Sequence, residues 1–147
     1  MHPAETASCR ILIACTAQGE PILRRALEPL QASIVCALSK DSAIREMERG
    51  VDLAVCSLRF DESRMLEFVA DVARKRPRLP FVCCRVLASD LPEASLRGAF
   101  AAAGHLGAVA VLNLPELAQR EGEALAEAAL RDAVALHLHD LGHASIS

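Results

Sequence analysis

The stretch Gly50-Val51-Asp52-Leu53-Ala54-Val55-Cys56-Ser57-Leu58-Arg59 decides how the rest of the chain is read. A helical segment stops at the glycine, and an aspartate then leads an apolar run into a Cys-Ser pair. Length and apolar content suit a strand buried on both faces, as at the centre of a parallel sheet. Such sheets carry their sites at the carboxyl ends of the strands, so Cys56 and Ser57 stand where a site would be.

At 147 residues and a formal charge of −3, the chain is long enough for one domain with an ordinary core. Four Phe and no Trp or Tyr, against 27 Ala, call for a small-residue aliphatic core and close packing of helices on a sheet. Without a basic excess, nucleic acid is not expected as a partner. The 14 Arg against 2 Lys carry no functional weight. No uncharged apolar run of about 18 residues is present, so no membrane span is expected. Met1–Arg10 lacks the basic-then-apolar order of a signal peptide. Cys9, Cys15, Cys36, Cys56, Cys83 and Cys84 form no C-x-x-C pair and lie mostly in apolar runs. That pattern predicts reduced, buried thiols in a cytoplasmic protein rather than a disulfide framework.

Around the opening strand the chain alternates. Residues 1–9 are polar and expected to fray. Arg10–Cys15 is a short apolar strand, and Pro21 suits the first turn of a helix in which Ile22, Leu23, Ala26, Leu27 and Leu30 recur at helical spacing. Pro29 must cut that helix short or kink it. Ser33–Leu38 is the second strand, and Asp41 or Ser42 is the expected cap of a helix that stops at Gly50. After the opening strand, Met65, Leu66, Phe68, Val69, Val72 and Ala73 mark a third helix. It ends in Arg74-Lys75-Arg76, cations that suit the negative end of the helix dipole. Pro80–Val86 is the fourth strand, Pro92 opens a helix that stops near Gly104, and Ala108–Leu112 is the fifth strand. Asn113-Leu114-Pro115 ends that strand, and a last helix, interrupted or started near Gly122, runs to about Asp140. Its apolar stripe is read as Leu125, Ala129, Ala133 and Leu136 with Leu138. Five strands alternating with five helices predict a doubly wound α/β domain over residues 10–140, with a frayed tail at 141–147.

Asp52-Leu53-Ala54-Val55-Cys56-Ser57-Leu58, Arg10-Ile11-Leu12-Ile13, Pro80-Phe81-Val82, and Gly107-Ala108 leading to Leu114-Pro115 together resemble the receiver domain of bacterial response regulators. The resemblance covers residues 10 to about 138 and implies a flavodoxin-like strand order 2-1-3-4-5. It also implies which positions carry the family's chemistry. The acidic pair that holds Mg²⁺ falls on Cys15 and Thr16, and the phosphoacceptor aspartate on Ser57. The hydroxyl residue after strand 4 falls on Arg85, and the lysine before the strand-5 proline on Leu114. Mg²⁺ needs hard, charged oxygen ligands that Cys and Thr do not supply. Phosphoryl transfer needs a metal and cations on the equatorial oxygens, and that apparatus is missing from these positions. Asp61 lies beyond the matching position. The resemblance therefore implies a degenerate pocket at Cys15, Thr16, Ser57, Arg85 and Leu114, with no phosphorylation, no enzymatic activity and no cofactor.

Other candidates come from the residues themselves. Cys15, Cys56, Cys83 and Cys84 end strands 1, 3 and 4, which suggests a thiol site for redox sensing or soft-metal binding. Against it stands cysteine as a small apolar filler, and strand alternation sends Cys83 and Cys84 to opposite faces. Arg85 is either a solvated loop residue, an internal charge in the old metal position, or an anion ligand. His139 and His143 share a helical spacing that metal ligands use, but Gly142 lies between them and no native metal site is expected. Ser57 has no activating His and no Gly-x-Ser-x-Gly turn, and the loop after strand 1 is not glycine-rich. The last helix is apolar on two faces, one for the sheet and one available to a partner.

The sequence is thus read as a pseudo-receiver serving as a protein-interaction module in bacterial signalling. Its expected partner is a protein or a second copy, on the face of the fourth helix, fifth strand and last helix. The alternatives are the thiol sensor and a flavodoxin-like binder of a small molecule or cofactor.

Overall fold

β3, Leu53–Ser57, is buried at every position because it lies in the middle of the sheet, between β1 (Arg10–Ala14) and β4 (Phe81–Arg85). A computed structural model describes residues 9–88 and 93–146, and of 93, 94 and 139–146 it describes the backbone only. The outer strands are β2 (Ser33–Ala37) and β5 (Ala110–Asn113), giving the order β2-β1-β3-β4-β5 with every neighbouring pair parallel. This is the doubly wound architecture expected from the alternation of elements.

The register fixes what each face receives. Ile11 stands opposite Leu53 and Ala14 opposite Cys56, while Cys56 stands opposite Cys83 and Ser57 opposite Cys84. Because side chains alternate along a strand, Ile11, Ile13, Cys15, Leu53, Val55, Val82 and Cys84 enter one core. Leu12, Ala14, Ala54, Cys56, Phe81 and Cys83 enter the other.

The helices divide accordingly. α1 (Glu20–Leu27) buries Leu23, Ala26 and Leu27, with a proline in its first turn. Pro29 acts as expected: a 3-10 turn, Glu28–Leu30, ends the helix, and Gln31 takes a left-handed φ of 59°. α2 (Lys40–Arg49) buries Ala43 and Met47. Its cap is Ser39, whose hydroxyl accepts from the Ser42 N–H at 3.1 Å, rather than Asp41 or Ser42. α3 (Met65–Lys75) turns Met65, Phe68, Val69 and Val72 inward, as its spacing predicts. α4 (Glu93–His105) supplies Leu96 and Ala103 to the α2/α3 side of the sheet. Pro92, read as the opening residue of this helix, lies outside the described residues.

The end of the chain breaks at Gly122, where an interruption or start was expected, and the segment before the break is a separate short helix. Asn113 ends β5 and caps α5 (Leu114–Glu121) through its side-chain oxygen, which accepts from the Glu116 N–H at 3.3 Å. Gly122, at a φ of 97° that other residues avoid, separates α5 from α6 (Glu123–Ile146). α6 packs on α1 through Ala126, Leu130 and Val134, with the Arg25–Glu127 ion pair at 2.6 Å and the Arg131 guanidinium donating to the Ala26 carbonyl at 3.1 Å. The buried stripe is therefore one position off the expected one, and Leu125 and Leu136 face solvent. In a helix this rich in alanine, apolar residues lie on every side, so spacing alone does not choose the face.

Candidate functional site

The carboxyl edge of the sheet gathers the five positions of the suspected pocket from four strands and their loops. Cys15 follows β1 and is fully buried, its N–H donating to the Ala37 carbonyl at 3.1 Å. Thr16 turns its hydroxyl onto its own loop, where Oγ1 accepts from the Gly19 N–H at 3.0 Å and its carbonyl accepts from the Glu20 N–H at 3.0 Å. A Cβ at Gly19 would stand 3.2 Å from Thr16 Oγ1 and 3.4 Å from a Val86 methyl, so the loop closes tightly over the end of β4. Ser57 ends β3 at 3% exposure, the one buried polar side chain among the described residues. Arg85 ends β4 and donates from Nη1 to the Asn113 side-chain oxygen at 3.4 Å. Leu114 starts α5 at 6% exposure and packs on the α1/α6 side of the core.

No carboxylate occupies any of these positions. The hydroxyl of Thr16 is spent on loop closure, and the Cys15 thiol is buried, facing that of Cys36. Leu114 puts an apolar side chain where the resemblance implies a lysine. Asp61, just past this edge, is turned away: its Oδ2 accepts from the Lys40 N–H at 2.8 Å, at the start of α2.

The cysteines separate by face. Cys56 and Cys83 lie side by side on the α2/α3/α4 side, while Cys15 and Cys84 lie on the α1/α6 side. The structure does not bring Cys15, Cys56 and a strand-4 thiol together, and Cys83 and Cys84 take opposite faces as alternation requires. Burial pushes the Cys83 thiol up to about 12 and the Cys15, Cys56 and Cys84 thiols well above their ordinary value. A buried, protonated thiol is a poor nucleophile. Native thiol titration with an aromatic disulfide reagent is therefore expected to modify the partly exposed Cys9 and Cys36, leaving Cys56, Cys83 and Cys84 unreacted until the protein unfolds. Reaction of any of these three under native conditions would overturn their assignment to packing.

The residue missing from the sequence-based site is Cys36, whose Sγ lies 3.8 Å from that of Cys15. His137 spends its Nδ1 on the Ala133 carbonyl one turn back, at 3.0 Å. The side chains of His139 and His143 lie outside the described residues. Beside the pocket, Ile22, Ala26, Val86, Leu114, Ala118 and Ala126 line a mostly apolar cleft of about 210 Å³ between α1, α5 and α6. That is smaller than the roughly 300–1,000 Å³ usual for ligand sites.

Compared with solved structures, the chain matches a response regulator receiver protein from Pseudoalteromonas atlantica over 90% of its own length and 98% of the other, with a TM-score of 0.66 and 17% identity. The fold is that of response-regulator receiver domains. An orphan response regulator of H. pylori matches at a TM-score of 0.61 and 18% identity, over 86% of this chain and 97% of that one. The signal receiver domain of an HD domain-containing protein from Pseudomonas fluorescens Pf-5 matches at 0.61 and 19%, over 89% of each chain. No protein-family model and no curated protein sequence matches the chain. The strand order is the one implied by the resemblance; Ser57 ends β3 and Leu114-Pro115 follow β5.

Proposed function

We propose that this chain is a receiver-fold signalling module that has lost phosphorylation and acts by binding another protein. The observation that carries this reading is the composition of the carboxyl edge: buried Cys15, Ser57 and Leu114, a self-bonded Thr16, and Arg85 on Asn113. Such an edge offers neither charge compensation for a divalent cation nor a carboxylate to accept a phosphoryl group. Receivers normally exchange two conformations through that pocket; here the equilibrium has no phosphoryl group to bias it, and the surface holds one state. The module is not an enzyme and works in the cytoplasm of a bacterium. The described residues include no helix long and apolar enough to cross a membrane.

The binding face is that of α4, β5 and the α5–α6 pair. β5 is an edge strand that stays partly exposed along its length, and Val109 before it and Leu125 on α6 are 38% and 47% exposed. A second copy of the chain is one candidate occupant, tested by the molecular mass in solution.

The inert pocket has a direct test. Adding beryllofluoride with Mg²⁺ to the isotope-labelled protein is expected to leave its amide NMR spectrum unchanged, while a phosphorylatable receiver run alongside shifts. Saturable shifts at residues 15–20, 57–64 or 85–88 would overturn the proposal.

A further inference from the structure

Cys15 and Cys36 form a pair that the register of β1 and β2 builds. Ile13 stands opposite Cys36, and Cys15 follows two positions later, so alternation returns its side chain to the same face. The sulfurs lie 3.8 Å apart. The two thiols are unequal: Cys15 is fully buried, whereas Cys36 is partly exposed on an edge strand held by main-chain hydrogen bonds on one side only.

We propose that Cys15 and Cys36 are an oxidisable dithiol site whose oxidant is a small disulfide of the glutathione class. The Cys36 thiolate, after losing its proton to solvent, attacks one sulfur of the small disulfide. A Cys36–sulfur bond forms, the small disulfide's bond breaks, and one small thiol leaves. The Cys15 thiolate then attacks Cys36 Sγ, forming the Cys15–Cys36 bond and releasing the second small thiol. Two protein thiols are oxidised, one small disulfide is reduced to two thiols, and the two protons end on the products. The sulfurs must close from 3.8 Å to roughly 2.05 Å, and because Cys36 stands opposite Ile13 and not Cys15, closure requires β2, paired on one side only, to shift.

The surroundings set the rate. Burial raises the Cys15 thiol well above its ordinary value, and burial raises that of Cys36 against the lowering effect of its hydrogen bond with Cys15, with the nearby Glu20 charge adding to the rise. Exchange proceeds through the thiolate, so oxidation is slow at neutral pH and accelerates as the pH rises. The site stands apart from the signalling reading, since neither the dithiol nor its oxidation requires a phosphorylation pocket.

The test uses the full chain incubated with oxidised glutathione at pH 7 and pH 9, quenched with acid, alkylated and digested after Lys and Arg. The expected product joins the peptides Ile11–Arg24 and Ala26–Lys40, lighter by two hydrogens than their sum, and appears faster at pH 9. Cys36→Ser is expected to leave Cys15 reduced. Cys15→Ser is expected to stop at glutathione held on Cys36, which also shows that the folded variant keeps the entry thiol reactive. Three outcomes would overturn the proposal: both thiols still reduced after Cys9 has reacted, a mixed disulfide that persists on Cys36 of the unaltered chain, or Cys36 joined to Cys9.

Discussion

Replacing Phe60 by alanine is expected to destabilise the protein by about 3–5 kcal/mol, the range for deleting a buried aromatic ring. Phe60 is fully buried just after β3, in edge-to-face contact with Phe68 at a ring separation of 5.4 Å and an interplanar angle of 63°. Such a pair contributes about 0.5–1.5 kcal/mol beyond the area it buries. The ring also holds a costly piece of backbone. Asp61, Glu62 and Ser63 have φ of 47°, 57° and 69°, a left-handed turn built without glycine. Each such residue costs roughly 1–2 kcal/mol. The turn persists because Phe60 is anchored in the core, the Arg64 N–H donates to the Phe60 carbonyl at 2.8 Å, and Asp61 is tied to Lys40. Removing the ring leaves a cavity and loosens the turn together. Urea unfolding of Phe60→Ala against Phe100→Ala, whose ring is only partly buried on α4, separates these effects from a generic loss of an aromatic. A Phe60→Ala loss below about 1 kcal/mol, or one no larger than that of Phe100→Ala, would contradict the anchoring role.

How much of this was legible in the sequence depends on what each element must satisfy. β3 buries both faces, so it is apolar up to its last residue, Ser57, and its place in the chain could be read directly, although it spans Leu53–Ser57 and not the whole stretch Gly50–Arg59. The inward residues of α3 alternate with charged ones, and their spacing picks out Met65, Phe68, Val69 and Val72. α6 lacks that contrast. Its rotation is set by Leu130 and Val134 seated against α1 and β3, and by the Arg25–Glu127 and Arg131–Ala26 contacts, none of which a single helix reveals. The start of α5 did carry a signal: asparagine as cap, proline in the first turn and Gly122 as the stop form a recognisable set. The left-handed turn at Asp61–Ser63 carried none, since its residues are ordinary and tertiary anchoring overrides their preference. At the site, positions 15, 16, 57, 85 and 114 were singled out by the resemblance to receiver domains and not by the strands themselves. The Cys15–Cys36 contact was not legible, because a parallel register is fixed by the whole sheet and not by either strand.

A carboxyl at position 57, where the resemblance implies an acceptor, tests the proposed loss of phosphorylation. Ser57→Asp puts a carboxyl at a position 3% exposed, on β3 between β1, which Cys15 follows, and Cys84 of β4. A carboxyl taken fully out of water titrates up to about 3–5 pH units above its usual value, and each unit corresponds to about 1.4 kcal/mol. The variant is therefore expected to lose roughly 4–6 kcal/mol at pH 8 and to gain no phosphoryl group from acetyl phosphate with Mg²⁺. The sign of the pH dependence follows from the raised folded value. Below about pH 3.9, where an unfolded aspartate also holds its proton, ionisation contributes nothing to the loss. As the pH rises from there to the folded value, the unfolded chain ionises while the folded one does not, and stability falls by about 1.4 kcal/mol per unit before levelling off. Unfolding curves at pH 4, 6 and 8, each referenced to the unaltered protein, check this. The cation to watch is Arg85, which lies one residue past the Cys84 that stands opposite Ser57 and whose guanidinium now donates to Asn113. Were it to swing onto the new carboxylate, the pH-dependent loss would vanish, and Arg85 would have to be counted as a poised anion ligand rather than a link between β4 and α5. The expected result, a loss that grows with pH, means that the pocket has been repacked around Ser57 as a core position.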